Sequence, residues 1–261
     1  VLAGVVERDQ DIDLASRGVQ LETSNDQTFA DVDLSSNIIN VTLAGAYGST
    51  TALSGVINLN WLKNNVQAFI SDSADVFAHD SVNVRAEDDG SLVNVAVAAA
   101  VSSSAASGAV AISYNYIGGD PGDLSPFLSQ TFIAPDNSIS TDSSSVLAYI
   151  DNAKAHALTG AVMVNAEAAA ELINISIGGA GSSSGTAVGG SIAINFIRHN
   201  VKAEIKGGAD VDAANNIDVN ARAIETMVVV AGGGAGSGNN AAGLVFSLNE
   251  AASNIEANII D

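Results

Sequence analysis

Carboxylates are the reactive side chains that this chain offers in groups. Asp72 with Asp75, the run Glu87-Asp88-Asp89, and Asp120 with Asp123 around Pro121-Gly122 gather carboxylate oxygens, the ligands calcium takes. None follows the spacing of an EF-hand or of a glycine- and aspartate-rich calcium repeat. Solvated acidic loops are therefore the expectation, with calcium the cation they could accept. Two carboxylates can also act as acid and base on a polysaccharide, and Asp88 with Asp89 or Glu167 with Glu171 are the pairs to consider. Only 9 basic residues stand ready to meet an acidic substrate, and no aromatic platform lies near these acids, so the chain is not expected to be an enzyme. His79, His156 and His199 fall at unrelated positions without metal-ligand spacing and are expected at the surface. No catalytic or cofactor-binding residue is assigned.

The charge balance narrows the partners. With 29 acidic against 9 basic residues the formal charge is −20, which disfavours a phosphate backbone and anionic lipid while favouring solubility and divalent cations. Nucleic acid is not expected as a partner. No apolar run reaches the ~20 residues of a membrane-spanning helix, so no membrane span is expected. Cysteine is absent, which excludes a disulfide framework. Hydrophobic residues make up 47% but aromatics only 5%, a composition suited to closely stacked sheets of small side chains.

The elements that must position these residues are announced by repetition. Val66-Gln67-Ala68-Phe69-Ile70, Val146-Leu147-Ala148-Tyr149-Ile150, Val201-Lys202-Ala203-Glu204-Ile205 and Ile255-Glu256-Ala257-Asn258-Ile259 start 80, 55 and 54 residues apart (146−66, 201−146, 255−201). A second marker recurs as Ile39-Asn40-Val41, Val93-Asn94-Val95 and Ile173-Asn174-Ile175, with Met227-Val228-Val229 following without its Asn. A third comprises Asn60, Asn115, Asn195 and Asn249. These markers divide the chain into an irregular lead-in or partial coil (1–30), a partial first repeat (31–65), a lengthened second repeat (66–145) with an insert at 118–145, then repeats at 146–200 and 201–254 and the start of another at 255–261. Pro121, Pro126 and Pro135 all fall in the insert, as expected of an irregular excursion. A chain that opens at Val1 without Met or a cationic leader and stops just inside a further copy is expected to be a piece of something longer.

Within a repeat the period is two. Val162, Val164 and Ala166 face one way and Met163 and Asn165 the other, and Val82 to Ala86 and Ile217 to Ala221 repeat the alternation with polar residues outward. The second half of each repeat differs: Val93, Val95, Val97, Ala99 and Val101 share one face, Leu92, Asn94, Ala96, Ala98 and Ala100 the other, so both faces are expected to be covered. Helix is the rival reading for the alanine-rich stretches, but valine, serine and glycine interrupt them and no amphipathic stripe forms. An all-β parallel β-solenoid of ~54-residue repeats, with right-handed crossovers, follows from stacking such units. Two asparagine ladders are then candidates, Asn40, Asn94 and Asn174 in one and Asn60, Asn115, Asn195 and Asn249 in the other, unless these residues sit at turns. Asn40-Val41-Thr42 and Asn174-Ile175-Ser176 match a glycosylation pattern, but inside strands a sugar would disrupt stacking.

The succession Val-x-Ala-x-Ile, Val-x-Val-x-Ala, a Gly/Ser-rich turn and a returning strand ending in Asn-aromatic resembles the repeats of large bacterial surface or secreted adhesins of the filamentous haemagglutinin type, over about residues 30 to 261. The resemblance implies a bacterial extracellular or cell-surface location and a shaft or fibre that contacts neighbouring repeats or other copies end to end or laterally. The alternatives are a module that binds a cell surface or polysaccharide through the 118–145 insert, and a polysaccharide-degrading β-helix.

Overall fold

The computed structural model describes residues 5–13, 22–23, 28–118 and 144–260. Its strands are β1 (Val5–Asp13), β2 (Glu22–Thr23), β3 (Thr28–Gly48), β4 (Thr51–Ile70), β5 (Asp75–Ala78), β6 (Val82–Ser102), β7 (Ala106–Ile117) and β8 (Ser144–Asp151). They continue with β9 (Lys154–Ala157), β10 (Val162–Ser182), β11 (Thr186–Lys206), β12 (Asp210–Ala213), β13 (Ile217–Ser237) and β14 (Asn240–Ile259). Each repeat is one wide coil. A strand of 21 residues runs out, a two- or three-residue turn reverses it, a strand of similar length returns, and a 4-residue strand closes the base. At ~3.3 Å per residue the long sides reach about 70 Å.

Three parallel sheets result, with orders β13-β10-β6-β3, β1-β4-β7-β11-β14 (β8 completing the β7 coil) and β12-β9-β5-β2. Pairing joins each residue to its counterpart one repeat on: Val66 to Val146, Val146 to Val201, and Val201 to Ile255. A parallel β-solenoid is therefore the fold, one coil per repeat. Between β7 and β8 the return strand is interrupted at Gly118, whose φ of 106° suits only glycine and whose N–H donates to the Leu62 carbonyl at 2.8 Å. The insert beyond it, with Asp120 and Asp123, lies outside the described residues, as does much of the 1–30 lead-in. The base corners turn through left-handed residues: Asp72 and Ser73, then Asn152, then Gly207 and Gly208. Asp72 thus has a backbone reason for its place.

The space between the two long sheets is layered from base to tip. The base holds a core of Val66, Val82, Val84, Val146, Ile150, Val162, Val164 and Val201, each fully buried, with polar residues outward. Midway, Ile38, Leu92 and Leu172 meet Leu62, Ile117 and Ile197 as an apolar bulkhead. Beyond it the interior narrows to Ala52, Ala96, Ala98, Ala100, Ala109 and Ala111. Two departures from expectation stand out. Glu87, Asp88 and Asp89 are not in a loop; they lie within β6 and alternate between its faces. The outward face of the second-half strands is not covered in the single chain, where Ile39 is 75% and Leu43 71% exposed.

Candidate functional site

Three groups of residues on this frame could carry function, and the first is the asparagine array. Asn40, Asn94 and Asn174 point inward from one sheet and Asn60, Asn115, Asn195 and Asn249 from the other, just beyond the bulkhead. The amide of Asn60 donates to Asn115 at 2.8 Å, Asn115 to Asn195 at 2.8 Å, and Asn195 to Asn249 at 2.8 Å. Opposite, Asn94 donates to Asn174 at 2.8 Å. The rows are also joined across the interior, Asn40 to Asn60 at 2.9 Å, Asn60 to Asn94 at 3.1 Å and Asn174 to Asn195 at 2.9 Å. Asn58 adds a donation to Asn94 at 2.8 Å; its amide was not among the recurring markers because Ser113 is its partner one coil on. Apart from Asn58 Oδ1, which has no partner, these bonds satisfy amides that would each cost ~1–3 kcal/mol if buried alone, and they pin the coils in register.

A second polar layer lies on the base side of the bulkhead. His199 is fully buried, which corrects the expectation of a surface histidine, while His79 is exposed and His156 stacks on Phe77 with ring centroids 4.8 Å apart. His199 Nδ1 lies 3.7 Å from the Glu225 carboxylate, an ion-pair distance too long for a hydrogen bond, and its backbone N–H donates to Ser253 Oγ at 3.2 Å. Ser253 in turn donates to Glu225. Asp88 faces the same interior and accepts a hydrogen bond from Asn64 at 2.6 Å; Asn64 also donates to Ser36 at 2.7 Å. Burial pushes the Asp88 carboxyl up to about 6, against the opposing pull of His199 and the Asn64 hydrogen bond and with help from Asp89. Burial also raises Glu225, but the His199 imidazole and the Ser253 hydroxyl outweigh it and leave that carboxyl below its usual range. Sequence alone hid this cluster because its members come from six strands of four coils, with no shared spacing.

The carboxylate pairs named from sequence fare differently. Asp88 points inward and Asp89 outward, so one substrate cannot lie between them. Glu167 and Glu171 share the outward face of β10 but stand ~13 Å apart along it, beyond the ~5–9.5 Å of glycosidase pairs. Glu167 instead faces Arg222 at 3.7 Å. Asp89 and Glu171 line one shallow outer groove of about 460 Å³ with Ser35, Asn37, Ser91 and Thr226. Among the described residues no group of three or more His, Asp or Glu side chains is placed to hold a metal ion, so Asp72, Asp75, Glu87, Asp88 and Asp89 form no calcium cage.

The third group is the tip half, where the usual distribution of side chains is inverted. Inward positions are mostly Ala, Ser, Gly and Asn, while outward positions on the β3-β6-β10-β13 sheet are large and aliphatic next to the bulkhead and give way to glycine on β10 and β13 toward the tip. The sheets approach backbone to backbone: a Cβ at Gly178 would collide with the Gly190 carbonyl, one at Gly189 with that of Gly234, and one at Gly233 with that of Leu244. Outward, columns run along the stack. Val41, Val95, Ile175 and Val230 form a ridge; four residues nearer the tip Gly45, Ala99, Gly179 and Gly234 form a furrow. At Gly45, Gly179 and Gly234 an added Cβ would meet nothing within 4 Å. Segments 34–62, 90–118, 172–197 and 226–249, which build this half, contain no Asp, Glu, Lys or Arg.

Fold and sites together define the class: a parallel β-solenoid of wide coils with a charged base and an uncharged tip. No family model, curated protein or solved structure matches the chain. No helix of the described residues is long and apolar enough to cross a membrane.

Proposed function

We propose that this chain is a structural segment of a β-solenoid shaft, part of an exported bacterial adhesin-like protein that acts through rigidity and through contact with other repeats or copies. The observation that carries the reading is register. Strand β10 pairs residue for residue over 21 positions with both β6 and β13, and β11 pairs over 20 with β14, so force or torsion applied at one coil passes to the next through continuous hydrogen-bond rows. The asparagine array adds side-chain links that a slipped register would leave unpaired. A coil without the insert uses 54 or 55 residues for a rise of only ~4.8 Å, so the design favours breadth and stiffness over reach.

The test is location and shape together. Antibody raised against this chain should label intact source cells, and electron microscopy of the purified chain should show slabs with the coil spacing of a stacked sheet. Labelling only after lysis would overturn the extracellular assignment, and particles without that spacing would overturn the shaft.

One observation favours a second reading, a polysaccharide-binding face. The outer groove crosses four strands and offers hydroxyls, an amide and the Asp89 and Glu171 carboxylates. Glycan-array binding lost in Asp89→Ala and Glu171→Ala would support it; unchanged binding would sink it.

A further inference from the structure

We infer that the outer tip face of the β3-β6-β10-β13 sheet is a pairing surface for a second copy of this chain, in a two-fold contact whose axis runs along the solenoid. This names the lateral contact left open by the shaft reading, and it rests on that reading for the stacked coils. Four strands by ten residues present a flat area of about 19 Å by 33 Å, roughly 600 Å² per copy. Two such faces remove roughly 1,200 Å² from water, at the lower end of specific interfaces, and a patch of roughly 600 Å² lies at the upper end of what an ordinary monomer exposes, where such patches are often interaction sites. The residues are open to solvent: Val228 and Val230 are each 49% exposed, and Val101 is 50%.

Charge selects the occupant. A second copy carries the same −20, and the tip is the half where two copies meet without bringing like charges together. A two-fold along the solenoid axis reverses the strand direction, so the two charged bases project at opposite ends. With the axis through the column of Leu43, Val97, Ile177 and Gly232, which then meets its own copy, the operation lays position 41 of each coil over position 45 of the partner, and 95 over 99, 175 over 179, 230 over 234. Ridge then enters furrow along every coil, in both directions at once, as a self-complementary contact requires. The furrow has no explanation within one chain. Glycine weakens a strand, yet at Gly45, Gly179 and Gly234 the fold leaves open space for a side chain. A bilayer is the competing apolar occupant. A charge of −20 disfavours an anionic bilayer, and flotation with neutral vesicles tests the other kind.

Small-angle scattering and sedimentation equilibrium of the full 261-residue chain, at raised protein concentration and raised salt, read mass and shape together. The expected particle has twice the chain mass, formed by two wedges overlapping at their tips. Ile175→Glu should weaken the pairing at least ~30-fold by burying an unpaired charge. Gly179→Val, which meets nothing in its own chain, should weaken it ~10-fold by filling the furrow while leaving the circular dichroism spectrum unchanged. Asn165→Glu, outward on the same sheet but in the base half, should leave association within ~2-fold, since no contact forms there. A single-chain mass under all conditions, with scattering that still fits the wedge, overturns the pairing and leaves the shaft standing. So does pairing untouched by Ile175→Glu and Gly179→Val, or a monomer that floats with phosphatidylcholine vesicles. Scattering that fits no stacked wedge overturns both.

Discussion

The base and tip halves of each coil are made by the same pair of strands, yet they solve opposite packing problems. In the base, Val, Ile and Leu point inward to a dry core and Asp, Glu, Lys and Arg point outward. In the tip, Ala, Ser, Gly and Asn point inward, the sheets close to backbone contact, and the aliphatic side chains are displaced to the outside. Between them stand the bulkhead of Ile38, Leu92, Leu172 and their partners and the two polar layers on either side of it. The difference teaches that alternation alone does not say which face is the inside. Stability comes from the base and from the bonded asparagines, while the tip contributes surface.

If that division is right, the largest effect should come from violating the interior. Val146→Asp, at a fully buried base position, should cost more than ~4 kcal/mol and leave no cooperative unfolding transition in urea. Two adjacent glycines give the same contrast inside the tip. Gly178→Val must push the sheets apart and should cost more than ~3 kcal/mol, whereas Gly179→Val should leave the fold unchanged or stabilise it by ~0.5 kcal/mol. Equal effects at the two sites would erase the distinction between inner and outer faces.

Next in size is the polar layer at Asp88. Its folded pKa of about 6 exceeds the ordinary 3.8, so the proton is held more tightly in the folded state. The associated stability is complete below about pH 4 and is lost as pH rises through about 6. The rise from 3.8 to about 6 corresponds to ~3 kcal/mol. Asp88→Asn should therefore raise stability at pH 7.5 by ~2–3 kcal/mol and change it little at pH 4, as read from urea midpoints at both pH values. Glu225 has the opposite sign: its lowered pKa contributes stability above the ordinary glutamate value that is lost as pH falls through the folded one. Removing an asparagine rung, Asn115→Ala, takes one of two partners from the Asn60 amide, which keeps Asn94, and from the Asn195 carbonyl, which keeps Asn174, and should cost ~1–2 kcal/mol. The smallest effect is outside the base: Lys206→Ala breaks the 2.9 Å contact with Glu204 at a partly exposed site and should move stability by less than ~0.5 kcal/mol.

Much of this was legible in the residues. The spacing of 80, 55 and 54 between Val66, Val146, Val201 and Ile255 names the columns that the strands form, because a parallel stack places each residue on its counterpart one repeat away. The recurring asparagines follow from the same rule. Less was legible wherever the partner lies across the interior and not along the stack. His199 meets Glu225 and Asp88 shares their layer only because two sheets face one another at that depth. Asp88 and Asp89 look like a pair in sequence and are separated by a sheet in space.

Repetition along the chain thus determined the solenoid and the residues that stack, since hydrogen bonding between parallel strands demands equal spacing. The tertiary structure alone decided the width of the coil, the orientation of each face and the inversion at the tip. Those depend on how closely two sheets can approach, and that distance is set by the bulk of side chains meeting from different repeats, a quantity no single repeat contains.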